Sequence, residues 1–285
     1  MKRILCIQDL AVVGRSSLAV VTPVLAAMGH QCCPLPTALF STHTGGFSPV
    51  EQLDATAFFE GALHAWQAQE IDFDCVYTGY LRTPEQAQIA LGAVRQSTAS
   101  LKVADPAMAD HGKLYSGFGP EMVDAMGALC HAADLITPNI TEAVMLAGWD
   151  YKEKYTVQEL KDLCAQLGQQ YGAQVILTGA PTEDGSVICV GQGAASWEHF
   201  TLNCSYVDAS YPGTGDLFCA VTTGALLRGN ALQSAAELAL RFVESAARAT
   251  YAAGSDPRFG LAFEPLLSDL VPQREEPREG RQWRY

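Results

Sequence analysis

Short apolar runs alternate with longer amphipathic stretches along most of the chain. The short runs are typical of buried strands, and the longer stretches repeat apolar residues at helical spacing. The pattern predicts strands at 3–8, 73–79, 101–106, 134–138 and 173–179, and a proline-interrupted, edge-like extended segment at 31–40. It predicts helices at 16–29, 53–70, 84–98 and 119–131, from Asn139 onward, and at 156–171, 215–228 and 231–252. A hairpin is predicted from strands at 186–191 and 195–202.

This alternation predicts an α/β fold with a central, mostly parallel β-sheet and helices on both faces. One domain is expected over 1–270, followed by a charged tail at 271–285. In such sheets, ligands bind outside the carboxyl ends of the strands. Polar residues follow several predicted strands, namely Asp9, Thr44, Tyr80, Asp105, Thr137 and Thr178. The candidate site is therefore expected at that edge.

Composition narrows the class of protein. The 285 residues are 48% hydrophobic and 17% charged, which is typical of a compact domain. The net charge of −13, with no cluster of Lys and Arg, argues against nucleic-acid binding. The nine cysteines form no C-x-x-C motif, which indicates free thiols in a reducing cytoplasm. No apolar run is long enough for a signal peptide or a membrane span, so a cytoplasmic protein without membrane contact is expected.

A Gly213-Thr214-Gly215-Asp216 segment stands directly before an apolar helix. Glycines let several backbone N–H groups point toward one anion, and the positive end of the helix dipole adds to their effect. Asp216 beside such an anion hole could accept the proton of an attacking hydroxyl group. A plain glycine turn with Thr214 or Asp216 as N-cap explains the same residues, and the segment alone leaves both interpretations open.

Two other segments also allow two interpretations each. Asn139 and Glu142 have the spacing of a capping box, and they also suit a site for hydrated Mg²⁺; both can hold at once. Asp105 and Asp110 suit cation binding through oxygens, or an Asp-Pro turn followed by a solvated loop. The glycine-containing segment 110–119 could form a flap that excludes water.

Seven segments, in order from about residue 3 to about residue 250, resemble the pyridoxal kinase branch of the ribokinase-like superfamily. They are IQD (7–9), FSTHTGG (40–46), YTGYLR (77–82), VADPAMAD (103–110), DLITPNITEA (134–143), VILTG (175–179) and PGTGDLF (212–218). Gly-Thr-Gly-Asp together with Thr-Pro-Asn-x-x-Glu marks the superfamily. His-Thr-Gly and Thr-Gly-Tyr narrow the resemblance to pyridoxal kinases.

The resemblance implies a kinase that uses ATP, Mg²⁺ and often K⁺ to phosphorylate the 5′-hydroxymethyl group of vitamin B6, and that commonly forms a homodimer. It implies that Asp216 is the catalytic base beside an anion hole. The implied positions are Gly213, Thr214 and Gly215 for the anion hole; Asp9, His43, Thr44 and Tyr80 for the vitamin; Thr137, Asn139, Thr178, Gly213 and Gly215 for ATP; and Asp105, Asp110 and Glu142 for the metal.

The chain departs from the family pattern at two places. Asp9 stands where many pyridoxal kinases have a Ser that contacts the substrate ring. A carboxylate there could favour a protonated ring nitrogen or an amino substituent, or it could spoil pyridoxal binding. Ser17 and Leu18 replace the Gly and Asn that open the family's first helix.

Other functions therefore stay open. Asp9 favours a hydroxymethylpyrimidine kinase on the same fold as the first alternative. A sugar or nucleoside kinase is a second, against which the aromatic Tyr80 argues. A third is a non-catalytic vitamin-binding homologue, against which the retained Asp216, Asp105 and Glu142 argue.

Overall fold

The computed structural model describes residues 1–193, 199–204 and 211–272. Its centre is a nine-stranded sheet of order β11-β10-β9-β8-β5-β4-β1-β2-β3. The strands are β1 Arg3–Val13, β2 Gln31–Thr42, β3 Gln52–Asp54, β4 Cys75–Thr78, β5 Leu101–Ala104, β8 Leu135–Ile136, β9 Gln174–Pro181, β10 Val187–Gln192 and β11 His199–Cys204; β6 Ala109–Asp110 and β7 Lys113–Leu114 form a separate hairpin. The six strands from β9 to β2 pair in parallel, and β10, β11 and β3 are antiparallel to their neighbours.

Helices cover both faces of the sheet. They are α1 Leu18–Ala27, α2 Thr56–Ala68, α3 Pro84–Gln96, α4 Pro120–Cys130, α5 Ile140–Ala147, α6 Val157–Tyr171, α7 Thr214–Leu227 and α8 Leu232–Ala252. Successive strand residues point to opposite faces, so Leu5 and Ile7 join the core under α2 to α6, whereas Ile4 and Cys6 join the core under α1, α7 and α8. The predicted fold class is confirmed.

The long predicted elements are confirmed, and the differences concern short or irregular pieces. Strand β1 continues to Val13 and β2 to Thr42, beyond their predicted ends. The sequence did not predict the shortest elements, because such segments contain too few residues to show a period. These are β3, the β6–β7 hairpin and the 3₁₀ turns at 257–259 and 264–270. Only Ala38–Phe40 of β2 pairs with β3. Among the described residues, the proline-containing first half of β2 therefore has no strand on its outer side, as its edge-like pattern predicts.

Two predictions fall partly outside the described residues. The β10–β11 hairpin is confirmed by its antiparallel pairing, but 194–198 between the strands lie outside. Residues 273–285 of the charged tail lie outside as well, so the division into a domain and a tail stays a prediction. All nine cysteines are free thiols, as expected. In the part of the chain that the structure describes, no helix has both the length and the apolar character needed to cross a membrane.

Candidate active site

Three connections meet at the carboxyl ends of the parallel strands: the β1–α1 turn, the entry to α7, and the segment 257–260. Their backbones approach one another so closely that Gly213 and Gly260 have no room for a side chain. A Cβ atom at Gly213 would collide with the Arg15 carbonyl oxygen, and one at Gly260 would lie 2.8 Å from the same atom. The Arg15 N–H group donates to the Phe259 carbonyl oxygen at 3.1 Å. Gly213 also has a φ of +78°, a conformation that favours glycine.

Helix α7 begins at this junction with its first N–H groups free of helical partners. Its N-cap is Gly213, and the Thr214 hydroxyl donates to the Tyr211 carbonyl oxygen at 2.7 Å, so neither Thr214 nor Asp216 caps the helix. The N–H groups of the first helical turn have no acceptor within the helix, and the helix dipole makes this end positive. A Cβ atom at Gly215 would meet no atom of residues 1–193, 199–204 or 211–272 within 4 Å, so these residues leave space beside the turn. This arrangement suits an anion such as a phosphate.

The Asp216 carboxylate is held by the β1–α1 turn. Its Oδ2 accepts a hydrogen bond of 2.8 Å from the Ser17 N–H group. Burial raises the pKa of Asp216, and the hydrogen bond from Ser17 opposes that rise. Ser17 adopts a φ of +49°, a conformation that L-residues rarely adopt and that favours glycine.

Asp9 is a second carboxylate that contacts Ser17; it lies within β1 and does not follow the strand as predicted, because β1 continues to Val13. Asp9 is 4% exposed, and its Oδ1 has no hydrogen-bond partner in the part of the chain that the structure describes. Burial, followed by the charge of Asp216, raises the pKa of Asp9 to about 7, while a hydrogen bond with the Ser17 side chain acts in the opposite direction. Ser17 therefore links the two carboxylates, through its backbone to one and its side chain to the other.

An aromatic wall stands next to Asp9. The Tyr80 ring stacks on Phe118 with centroids 5.6 Å apart, meets Phe40 edge-on at 6.4 Å, and lies 6.3 Å from Tyr115. Burial and the charge of Asp9 raise the pKa of Tyr80 to about 12, so the phenol stays neutral. Tyr115 and Phe118 lie in the predicted flap, but the sequence reasoning did not single them out. Their aromatic character within that glycine-containing segment was the available signal.

His43 and Thr44 occupy the β2 end in different ways. His43 is buried, its Nδ1 accepts a hydrogen bond from the Gly45 N–H group at 3.1 Å, and its Nε2 lies 2.6 Å from the Arg258 carbonyl oxygen. Nε2 therefore carries the proton, and both ring nitrogens are engaged by backbone. His43 joins its loop to the segment 257–260, whereas Thr44 is exposed.

The three carboxylates expected around a metal are only partly brought together. Asp105 and Glu142 are buried, and burial and the charge of Glu142 raise the pKa of Asp105 well above its usual value. Burial raises the pKa of Glu142 to about 8 despite backbone hydrogen bonds. Asp110 is exposed on the β6–β7 hairpin and accepts a hydrogen bond from the N–H group of His111. Among the described residues, no three His, Cys, Asp or Glu side chains form a group that could hold a metal ion alone.

Glu142 also completes the capping box of α5. Asn139 Oδ1 accepts from the Glu142 N–H group at 3.0 Å, and Glu142 Oε2 accepts from the Asn139 N–H group at 2.9 Å. The other carboxylate oxygen accepts from the Met108 N–H group, and Asn139 Nδ2 donates to the Ala109 carbonyl oxygen. The cap is thus confirmed, and it ties α5 to the segment that follows Asp105.

The remaining predicted ATP-binding residues lie at neighbouring strand ends. Thr137 follows β8, is buried, and contacts Cys219 of α7. Thr178 of β9 donates its N–H group to the Pro138 carbonyl oxygen at 3.0 Å and bridges to Asn139. These residues therefore line one continuous edge between Asp105 and the α7 N-terminus.

Similarity to known proteins extends over nearly the whole chain. A family model described as phosphomethylpyrimidine kinase matches residues 23–258. The pyridoxal kinase PdxY of Paraburkholderia xenovorans LB400 is 30% identical over 293 residues, which cover 96% of each chain. A candidate phosphomethylpyrimidine kinase from Bacteroides thetaiotaomicron VPI-5482, crystallised with pyridoxal, is 38% identical with a TM-score of 0.90 and covers 96% of this chain and 97% of its own. Pyridoxal kinase from Lactobacillus plantarum is 32% identical with a TM-score of 0.88, covering 95% and 96%.

Gly213→Ala should destabilise the protein by about 2–4 kcal/mol, since a Cβ atom meets both an unfavourable φ and the Arg15 backbone. Gly229→Ala is the matched control: its φ of +89° is also positive, but a Cβ atom there meets nothing within 4 Å. That variant should cost only about 1–2 kcal/mol. Urea unfolding measures both free energies, and equal losses would contradict a steric requirement at Gly213.

Asp9→Asn should change how stability depends on pH. A carboxyl group with a pKa of 3.8 when unfolded and about 7 when folded binds its proton more tightly in the folded protein. The free energy of unfolding of the original chain therefore falls as pH rises through this range. The Asn variant has no carboxyl group at this position and should not show that fall. The variant should gain about 2–3 kcal/mol relative to the original chain between pH 5 and pH 8. An equal difference in the free energy of unfolding between the two proteins at pH 5 and pH 8, measured by urea unfolding, would contradict a raised pKa of Asp9.

Proposed function

Since the chain belongs to the family of pyridoxal and phosphomethylpyrimidine kinases, we propose that it transfers the γ-phosphoryl group of ATP to the 5′-hydroxymethyl group of vitamin B6. The observation that carries this proposal is the Asp216 carboxylate, held by Ser17 beside the first-turn N–H groups of α7, which have no acceptor within the helix. A base and an anion hole on the same helical turn are what the transfer of a phosphoryl group to an alcohol requires. Pyridoxal, pyridoxine and pyridoxamine all carry this alcohol.

In this mechanism Asp216 accepts the proton of the 5′-hydroxyl group as its oxygen attacks the γ-phosphorus. The new O–P bond forms while the bond from the γ-phosphorus to the bridging oxygen breaks, and ADP leaves with that electron pair. The raised pKa of Asp216 makes the carboxylate a stronger base than an exposed one. The N–H groups of Thr214, Gly215 and Asp216 face the charge on the transferring group, and Gly213 permits the turn that aims them.

The vitamin ring would rest against Tyr80, within the wall formed with Tyr115 and Phe118. Burying an aromatic substrate between such rings orients it and excludes water from the reacting atoms. His43 would hold the loop at the end of β2 in place through its two backbone contacts, and Thr44 would contact the substrate from the exposed side of that loop.

The carboxylates fit a role with magnesium. Asp105 and Glu142 are buried, and the charge of Glu142 disfavours ionisation of Asp105, a repulsion that a divalent cation relieves. Asp105, Asp110 and Glu142 would hold Mg²⁺ directly or through waters, with ATP phosphates completing its ligands. When bound, the ion neutralises phosphate charge. Thr137, Asn139 and Thr178 would contact the phosphates or a K⁺ ion.

A hydroxymethylpyrimidine is the second candidate substrate, favoured by the family described for residues 23–258 and by the carboxylate at Asp9. It offers a similar ring alcohol, so the same base would act on it. The proposal also includes a homodimer and a cytoplasmic location; the nine free thiols support the latter.

Asp216→Asn should lower kcat for B6 phosphorylation by about 10²–10⁴, the usual contribution of a general base. Asp162→Asn, which removes an exposed carboxylate of α6, is the matched control and should retain full activity. ADP formation coupled to pyruvate kinase and lactate dehydrogenase measures both rates, with pyridoxal, pyridoxine, pyridoxamine and hydroxymethylpyrimidine as acceptors. Turnover of hydroxymethylpyrimidine alone would overturn the B6 assignment, and a fully active Asp216→Asn would overturn the base.

A further inference from the structure

Asp9 is a buried carboxylate to which the phosphoryl-transfer mechanism assigns no role. Among the described residues its Oδ1 has no hydrogen-bond partner although Asp9 is 4% exposed, and burying a carboxylate oxygen without a partner is costly. The ion pairs of the described residues all involve other carboxylates. An orphaned carboxylate oxygen inside a substrate site is matched best by a cation or a hydrogen-bond donor on the ligand.

The surroundings of Asp9 define which part of the substrate it meets. Ser17 contacts Asp9 through its side chain and Asp216 through its N–H group, so the two carboxylates flank the same residue. Tyr80 lies near enough to Asp9 for the charge of that carboxylate to raise the pKa of its phenol. The titratable groups that face Asp9 are therefore Asp216 and Tyr80. A ring stacked on Tyr80 with its hydroxymethyl group at Asp216 has its adjacent atoms next to Asp9.

The chemistry of vitamin B6 then limits which group of the substrate can lie at Asp9. Two ring carbons flank the one that bears the hydroxymethyl group: one carries only hydrogen, and the other carries the 4′ substituent. The 4′ group is an aldehyde in pyridoxal, an alcohol in pyridoxine and an ammonium in pyridoxamine. The ring nitrogen lies one atom farther from the reacting arm than either flanking carbon. Only the 4′ ammonium places a positive charge next to the reacting arm.

We propose that Asp9 is the specificity-determining residue of this site and that it selects the B6 vitamer with a 4′ ammonium group, pyridoxamine. This inference rests on the proposed function. Asp9 accepts hydrogen bonds from the ammonium and cancels its charge in a site with little water. The aldehyde offers no donor to this carboxylate, and the alcohol offers one neutral donor without charge. Charge-assisted hydrogen bonds are about twice as strong as neutral ones, so discrimination follows from this single side chain.

The test compares kcat/KM for pyridoxamine, pyridoxine and pyridoxal in the original chain, Asp9→Ser and Asp9→Asn, in a buffer free of amines because pyridoxal condenses with them. The original chain should prefer pyridoxamine over pyridoxine by about tenfold or more, as expected for a charged hydrogen bond. Both variants should lose about 10–100-fold with pyridoxamine, chiefly through KM, and change less than about threefold with the neutral vitamers. Asp162→Asn removes a distant surface carboxylate and should leave the preference unchanged.

Equilibrium binding gives a readout that does not depend on turnover. Calorimetric titration of the Asp216→Asn variant with each vitamer should show tighter binding of pyridoxamine, and Asp9→Asn in the same background should remove that difference. Equal losses for all three vitamers in the Asp9 variants would assign Asp9 to the ring nitrogen or to packing and overturn the inference. Turnover of B6 with no preference for pyridoxamine would overturn it while keeping the proposed function. Failure of every vitamer to accept phosphate would overturn both.

Discussion

The hydrogen bond from the Ser17 N–H group to the Asp216 carboxylate is the contact on which the site depends. It joins two residues 199 positions apart in the chain and brings the starts of α1 and α7 together. The contact requires Ser17 to adopt a positive φ and Gly213 to pass the Arg15 carbonyl oxygen without a side chain. The strain of an unfavourable φ, about 1–3 kcal/mol, is offset by the packing around this junction. In return, the carboxylate is fixed beside the helix N-terminus.

Accumulated negative charge is the second constraint. Asp9, Asp105, Glu142 and Asp216 are all acids whose pKa burial raises, and the ion pairs of the described residues involve none of them. Without ligands, the site therefore contains repulsion that stabilises protonated forms. Cations relieve this repulsion, and the helix N–H groups offer the complementary surface for phosphates. A chain with a net charge of −13 can thus bind a polyanion through local dipoles and metal ions.

The sequence predicted most of the fold because the central strands and the long helices carry strong apolar periodicity. Helix α7 and its Gly-Thr-Gly-Asp entry were expected, as was the capping box of Asn139 and Glu142. Other features depend on contacts between distant residues, which periodicity does not report. The stacking of Phe118 on Tyr80 and the two backbone contacts of His43 are of this kind. Asp9 was visible as an unusual carboxylate, but its lack of a partner required the packing around it.

The two cores are built from different parts of the chain, and this sets an order for synthesis on the ribosome. The core under α2 to α6 uses only residues up to 190, whereas the core on the other face needs α7 and α8 as well as α1. A nascent chain that has reached β10 can bury one face of its sheet. Side chains on the other face, such as Ile4, Tyr77 and Val103, stay exposed to water until α7 and α8 have been synthesised. Asp216 is part of α7, one of the helices that bury this second face. The chain therefore gains its proposed base in the same step that removes its last large apolar surface from water.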